Sequence, residues 1–277
     1  MKGLLCINKP QDMTSFDVVS KVRRTMNAKV GHAGTLDPMA TGLLIIAVNQ
    51  ATKALPYLGL EDKVYHGKCQ MGQKTSTGDI WGDVTEEKPV QPFNESQILE
   101  VFQSLTGPLN QRVPKVSAKK VDGKRSYDYV FENKEVKQLY TDIEIYKIDL
   151  LSFDENTIEF SAHVSNGTYI RTLCEDIAEK LNNLGAMSYL ERTQVGNLTL
   201  DDAISIDEIQ PDTKLWNVKD SIALPKIIND KLEDYVKNGK RLKLNTPHDQ
   251  LLVDAGEYYA VYQREKDETF KSVRGLW

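Results

Sequence analysis

The 277-residue sequence has little of what metal centres and disulfide frameworks are built from. Its three cysteines, Cys6, Cys69 and Cys174, lie far apart, no CxxC occurs, and their number is odd. That argues against a thiolate zinc site or a disulfide-stapled scaffold and fits a reducing compartment. The four histidines, His32, His66, His163 and His248, are isolated, so no metal-ligand spacing is present and no metal is expected. Long apolar runs are missing too. No stretch approaches the ~20 residues needed to cross a bilayer, and MKGLLCINKPQDM lacks the apolar core of a signal peptide. A cytoplasmic protein without membrane attachment is expected. The sequence holds no internal repeat and no low-complexity tract.

What is present is a globular composition, 40% hydrophobic and 27% charged, in a chain long enough for one large domain and a small one. The net charge of −5 on average disfavours nucleic acid, yet basic residues cluster. Residues 1–36 hold Lys2, Lys9, Lys21, Arg23, Arg24 and Lys29 against Asp12 and Asp17, a local +4. Residues 112–125, RVPKVSAKKVDGKR, hold six basic residues against Asp122, a local +5. These excesses read either as solvated surface or as a footprint for a polyanion, and they bracket Asp37 and the strands that follow it.

Periodicity and turn signals order the chain. GLLCINKP reads as a strand stopped by Pro10. TSFDVVSKVRRTM reads as a helix capped by Thr14 or Ser15, with Val18, Val22 and Met26 on one face. GLLIIAV is a buried strand, and NQATKALPYL a helix ending near Pro56. DKVYHGKCQMG alternates, with Tyr65, Gly67, Cys69 and Met71 on one side. QKTSTGDIWGD is a polar loop, and SQILEVFQSLTG a helix capped by Ser96 and Gly107. The basic segment 112–136 is polar and aperiodic, in the manner of a mobile insertion. TDIEIYKIDLLSF and NTIEFSAHVS form two paired strands, and NGTYIRTLCEDIAEKLNN passes from a strand end into a helix. LLVDAGEYYAVY reads as two strands around an Asp-Ala-Gly turn. The expected fold is α+β: a mixed, largely antiparallel sheet flanked by helices over residues 1–228, then a small β module over 229–277.

Three residues stand out chemically. GHAGTLDPMATG, residues 31–42, carries the single carboxylate Asp37, with Gly31 and Gly34 to relax the backbone and Pro38 to fix φ. Asp37 reads as an Asx-turn residue or as a nucleophile or base held at a strand entrance. Arg171, in NGTYIRTLCEDI, reads as a buried guanidinium in need of a carboxylate. Glu175, one helical turn on, and Asp37 are its two candidate partners, and pairing would hold Asp37 ionised. Tyr65, mid-strand, reads as core packing or as a ring that stacks on a nucleobase.

Taken together, GHAGTLDPMATGLL, the upstream INKP, KVYHGKCQMG, the GxxTxTxDxxG pattern of GQKTSTGDIWG, and SNGTYIRTLCEDI resemble the TruB family of pseudouridine synthases in order and spacing, from residue 3 to about residue 200. The resemblance implies a pseudouridine-synthase catalytic domain. It also implies an activity: conversion of the uridine at position 55, in the TΨC loop of tRNA, to pseudouridine. Uracil is detached, rotated and rejoined through carbon, with no cofactor, metal or ATP. Asp37 is then the essential catalytic carboxylate, Tyr65 the ring stacked on the target base, and Arg171 the partner of Asp37. His32 enters the tRNA loop in place of the flipped base. Leu190, in MSYLERTQVG, lines the base pocket. Asp79 lies near the site, and Lys9 and Pro10 shape the loop beneath it. Structural roles explain His32, Leu190 and Asp79 equally well.

The same resemblance makes 112–136 an insertion closing over the T-arm, poorly ordered without RNA, whose Lys119, Lys120, Lys124 and Arg125 contact phosphates. It makes 229–277 a shortened PUA-type RNA-binding module. Glu191 departs from the basic residue expected there. The implied partner is the tRNA T-arm, bound by a monomer without guide RNA, and a tRNA-folding chaperone role can coexist. The rival reading, a guide-dependent synthase subunit, calls for an N-terminal extension and a fuller PUA region, whereas this chain starts two residues before its first expected strand.

Overall fold

A computed structural model describes residues 2–114, 116–117, 120–121, 124–125 and 138–277. The chain packs as two compact units, one of Met1–Pro38, Leu43–Leu60 and Leu198–Trp277, the other of Met39–Gly42 and Glu61–Asn197. Neither unit ends at the 228/229 boundary expected from sequence.

In the first unit, β1 (Gly3–Lys9) runs parallel to the short strand Ile204–Ser205. Helix α1 (Ser15–Met26) follows, closed at its N-terminus by a capping box between Thr14 and Asp17. Its buried face, Val18, Val19 and Val22, packs with Leu5, Ile7, Leu44 and Ile46. Strands β2 (Val30–Ala33) and β3 (Thr41–Val48) form an antiparallel hairpin with His32 opposite Ile46. GHA is therefore strand rather than turn, and of the two glycines only Gly34, at φ 76°, uses left-handed backbone. The helix expected over 49–58 is two 3₁₀ turns, Asn49–Lys53 and Leu55–Tyr57. Pro56 falls inside the second, and a residue without N–H interrupts the α-helical ladder.

The C-terminal sheet has the order Lys226–Ile228, Gln250–Ala255, Tyr258–Lys266, Thr269–Gly275, Leu242–Lys243. It begins ahead of residue 229. Asp254 and Ala255 stay in the strand, so the hairpin turns at Gly256 and Glu257. Leu252, Tyr259, Val261 and Leu276 share one core with Leu4, Ala47, Ala51 and Leu58. A sheet this small buries too little by itself, and burial against the N-terminal strands supplies the remainder.

The second unit is built on β4 (Lys63–Met71), β5 (Gly107–Arg112), β6 (Tyr140–Phe153), β7 (Thr157–Val164) and β8 (Gly185–Val195). Their order is β8-β4-β7-β6-β5, every pair antiparallel, while Thr41 and Gly42 run parallel to Glu191 and Arg192. Helix α2 (Glu95–Leu105) starts at Asn94 rather than Ser96, because Asn94 and Gln97 form the reciprocal capping box. Helix α3 (Ile170–Lys180) carries Arg171 in its first turn. The polar loop expected over 73–83 is narrower than that, since Gln73–Thr75 pairs with Val84–Glu87. In the insertion, Lys120–Val121 pairs with Lys124–Arg125; Lys119 and most of 112–136 lie outside the described residues. Among the described residues no helix is long and apolar enough to cross a membrane.

Candidate active site

Asp37 sits in the loop between β2 and β3, half-buried, and both of its neighbours are held. Ahead of it, the buried Ser15 hydroxyl accepts from the Leu36 N–H at 2.9 Å and donates to the Leu36 carbonyl at 3.2 Å. Behind it, the Pro38 carbonyl accepts from Lys9 Nζ at 3.1 Å and from the Asp12 N–H at 2.9 Å. Lys9 is fully buried and also donates to the Pro10 and Met13 carbonyls at 2.9 and 2.6 Å. A loop residue is ordinarily mobile. Here the end of β1 and the start of α1 hold the residues on both sides of one carboxylate. Lys9 thus ties the Pro10, Met13 and Pro38 carbonyls together, and Pro10 itself is exposed. His32 is half-buried on β2 in the same unit.

In the second unit, Tyr65 is the third residue of β4, directly opposite Ala162 on one side and Arg192 on the other. Leu190 is opposite Gly67, and directly paired residues share a sheet face. Tyr65, Leu190 and Arg192 therefore line one face, with exposures of 8%, 7% and 1%. Arg192 escaped the sequence reading. Its signal was a charged residue at a core-facing position of an alternating strand. Gly42 escaped it as well: at φ 101°, a side chain there would stand 2.4 Å from the Arg192 carbonyl oxygen. Glu191 faces the opposite side, across from His66, so its departure from a basic residue does not alter the Tyr65 face.

Arg171 is buried; it donates to the Thr77 carbonyl at 2.8 Å and the Val116 carbonyl at 3.0 Å, with Nη1 3.9 Å from Asp79 Oδ2. Asp79, 1% exposed, accepts from Thr77 Oγ1 at 2.7 Å and from the Trp81 N–H at 3.2 Å, folding the GxxTxTxDxxG loop on itself. Bonds between the backbones of Gly78, Ile80 and Met187 dock that loop on β8. Asp79 thereby positions Arg171 through Thr77. Glu175, the alternative partner for Arg171, forms its ion pair with Arg112 at 2.5 Å. That contact engages one of the six cations counted in the basic segment. Burial pushes the Glu175 carboxyl up, against the pull of Arg112.

Lys63, on the Tyr65 side of β4, donates to the Glu61 carbonyl at 3.0 Å and Asn166 Oδ1 at 2.9 Å. Burial, and next the Arg192 charge, push its ammonium down to about 8. The unfolded chain, with an ordinary lysine value near 10.5, binds more protons between those limits. The contribution of Lys63 to stability therefore rises from about pH 8 to about pH 10.5. Denaturant unfolding is expected to show wild type gaining on Lys63→Met between pH 7 and pH 10; a constant difference contradicts the assignment.

Residues 22–170 match the N-terminal domain of TruB family pseudouridylate synthases, and residues 171–236 match the C-terminal domain of tRNA pseudouridylate synthase B. The tRNA pseudouridine synthase B of Mycoplasma mobile is 40% identical over 227 residues, 81% of this chain and 77% of that protein. Its counterpart in Geobacillus kaustophilus is 39% identical over 261 residues, 88% and 92% of the two chains. The fold is also that of a chain in an H/ACA ribonucleoprotein bound to a substrate RNA containing 2′-deoxyuridine, with a TM-score of 0.72 over 99% of this chain and 85% of that one, at 20% identity. These matches place the chain in the class of pseudouridine synthases. Within it, the chain belongs to the TruB family.

Proposed function

We propose that this TruB-type tRNA pseudouridine synthase isomerises the uridine at position 55 of the TΨC loop, acting in the cytoplasm as a monomer on the T-arm, with no guide RNA or cofactor. The observation that carries the reading is the anchoring of both sequence neighbours of Asp37, Leu36 by Ser15 and Pro38 by Lys9. A carboxylate held in this way meets the electron-poor sugar carbon without reorganising as the bond to uracil N1 breaks. Uracil then turns and rejoins through carbon. Addition to the uracil ring and abstraction of a sugar proton are routes that use the same carboxylate. The family resemblance assigns Arg171 as the guanidinium that supports this carboxylate. Residues 1–228 carry the catalytic machinery and 229–277 a reduced PUA-like RNA-binding module, and the grip on the T loop also serves tRNA folding.

The reacting bonds are buried in the folded T loop, so the base must be flipped. His32 fills the space it leaves, Leu190 lines the pocket, and Tyr65 stacks on the base and assists the last deprotonation. Tyr65→Phe keeps the ring and is expected to keep stem-loop affinity within about threefold, while losing roughly 10²-fold in turnover, the scale of one proton-transfer group. Loss of affinity with turnover intact contradicts that assignment. Neutralising Lys119, Lys120, Lys124 and Arg125 together is expected to lower the slope of log K against log [salt] by about 3, at ~0.7–0.9 per phosphate contact. An unchanged slope removes the insertion from the RNA interface. The direct test of the function is incubation with an unmodified T-arm stem-loop without guide RNA, followed by assay for pseudouridine. Product at the position-55 uridine supports the reading, and its absence overturns it.

A further inference from the structure

Helix α1 exposes a side chain that the fold does not account for. Phe16 is 66% exposed, more than any other aromatic among the described residues. Its backbone is nonetheless fixed on both sides. Ser15 exchanges two hydrogen bonds with the Leu36 peptide, and Asp17 closes the capping box with Thr14. The ring is therefore presented to solvent from a rigid base, next to the contact that holds the catalytic loop. At 3.8 Å per residue step, the Phe16 and Asp37 Cα atoms are no more than about 14 Å apart.

The helical period gives the ring its company. Phe16, Ser20, Arg23, Arg24 and Asn27 lie on one face, opposite the buried Val18, Val19 and Val22. Arg23 and Arg24 are exposed, and neither forms an ion pair among the described residues, whereas Lys21 is engaged by Asp207. The only acid of the helix, Asp17, is bonded to Thr14. An exposed ring with two guanidinium groups about 10–12 Å further along the helix, at ~1.5 Å per residue, spans two or three nucleotides. Aromatic face plus phosphate-binding cations is the chemistry of single-stranded nucleic acid recognition.

We infer that Phe16 is a stacking platform for an unpaired base of the RNA substrate beside the isomerised uridine, with Arg23 and Arg24 holding the phosphates of the strand that leads to it. The inference rests on the proposed action on a tRNA loop. Charge decides against a second copy of this chain as the occupant, since a basic face repels its own kind.

The test compares wild type, Phe16→Ala, Phe16→Tyr and the double variant Arg23→Gln/Arg24→Gln on an unmodified T-arm stem-loop, by anisotropy over a range of salt and by steady-state kinetics. Phe16→Ala is expected to weaken binding about tenfold, with the loss in KM rather than kcat, and Phe16→Tyr to bind within twofold of wild type. The arginine pair is expected to lower the salt slope by about 1.4–1.8. An exposed ring contributes little burial, so the Tm of Phe16→Ala stays near that of wild type. Wild type that isomerises the stem-loop while Phe16→Ala matches its affinity within twofold overturns this inference alone. Altered self-association of Phe16→Ala with RNA affinity unchanged overturns it in favour of a second copy. A wild-type protein that forms no pseudouridine overturns the functional reading with it.

Discussion

Asp37→Asn is expected to lower pseudouridine formation on the T-arm stem-loop by about 10⁴-fold or more, while stem-loop affinity stays within about threefold. Four decades of rate correspond to ~5 kcal/mol of barrier. The amide is nearly isosteric with the carboxylate, so the hairpin loop keeps its shape. The Ser15 and Lys9 hydrogen bonds run to backbone atoms of Leu36 and Pro38 and do not involve the Asp37 side chain. What is lost is the negative charge, and with it nucleophilicity, basicity and the field that stabilises a cationic sugar carbon. Single-turnover assay at saturating enzyme isolates this loss from binding. Turnover within tenfold of wild type would remove Asp37 from the chemistry and return it to the turn-forming role that an isolated aspartate can also fill.

Lys9→Met is expected to cost about 2 kcal/mol of stability and, separately, roughly 10²-fold in kcat. The thioether keeps the volume of the buried stem and removes three donors. The Pro10 and Met13 carbonyls lose their bond to the ammonium, while Pro38 retains its bond from the Asp12 N–H. An unsatisfied carbonyl shielded from water costs ~1–3 kcal/mol; Pro10 is exposed, so the loss falls mainly at Met13, and relief from burying a charge offsets part of it. The kinetic loss has a different origin. Pro38 follows Asp37, and a displacement of ~1 Å at a reacting group costs on the order of 10²-fold. The discriminating measurement is kcat of the folded fraction at a temperature well below the lowered Tm. If that value equals the wild-type kcat, Lys9 stabilises the fold without positioning the loop.

Local pattern was legible in the sequence wherever one element answers to its own residues. The alternation of KVYHGKCQM predicts the buried side of β4, which carries Tyr65, Cys69 and Met71. The Thr14 cap and the valine stripe predict α1. The structure departs from the sequence pattern where neighbouring local signals compete or where two distant segments decide an outcome jointly. Asn94 rather than Ser96 caps α2 because Gln97 returns the bond. Residues 49–58 have helical spacing but carry Pro56, and they settle as two tight turns. Arg112 counts among the cations of the basic segment, yet Glu175, distant in sequence, pairs with it.

The amino-acid sequence by itself determined the α+β class, the strands that carry the motifs, the TruB resemblance and the choice of Asp37, because side-chain period and motif spacing are properties of a continuous stretch of chain. Only the tertiary structure decided that Lys9 is a buried clamp rather than a surface cation, that Arg192 stands beside Tyr65, and that the C-terminal strands share a core with Leu4 and Ala47. Each of those depends on groups tens to hundreds of residues apart along the chain. Their meeting is set by which buried faces and backbone carbonyls must be satisfied together, a condition that no local window contains.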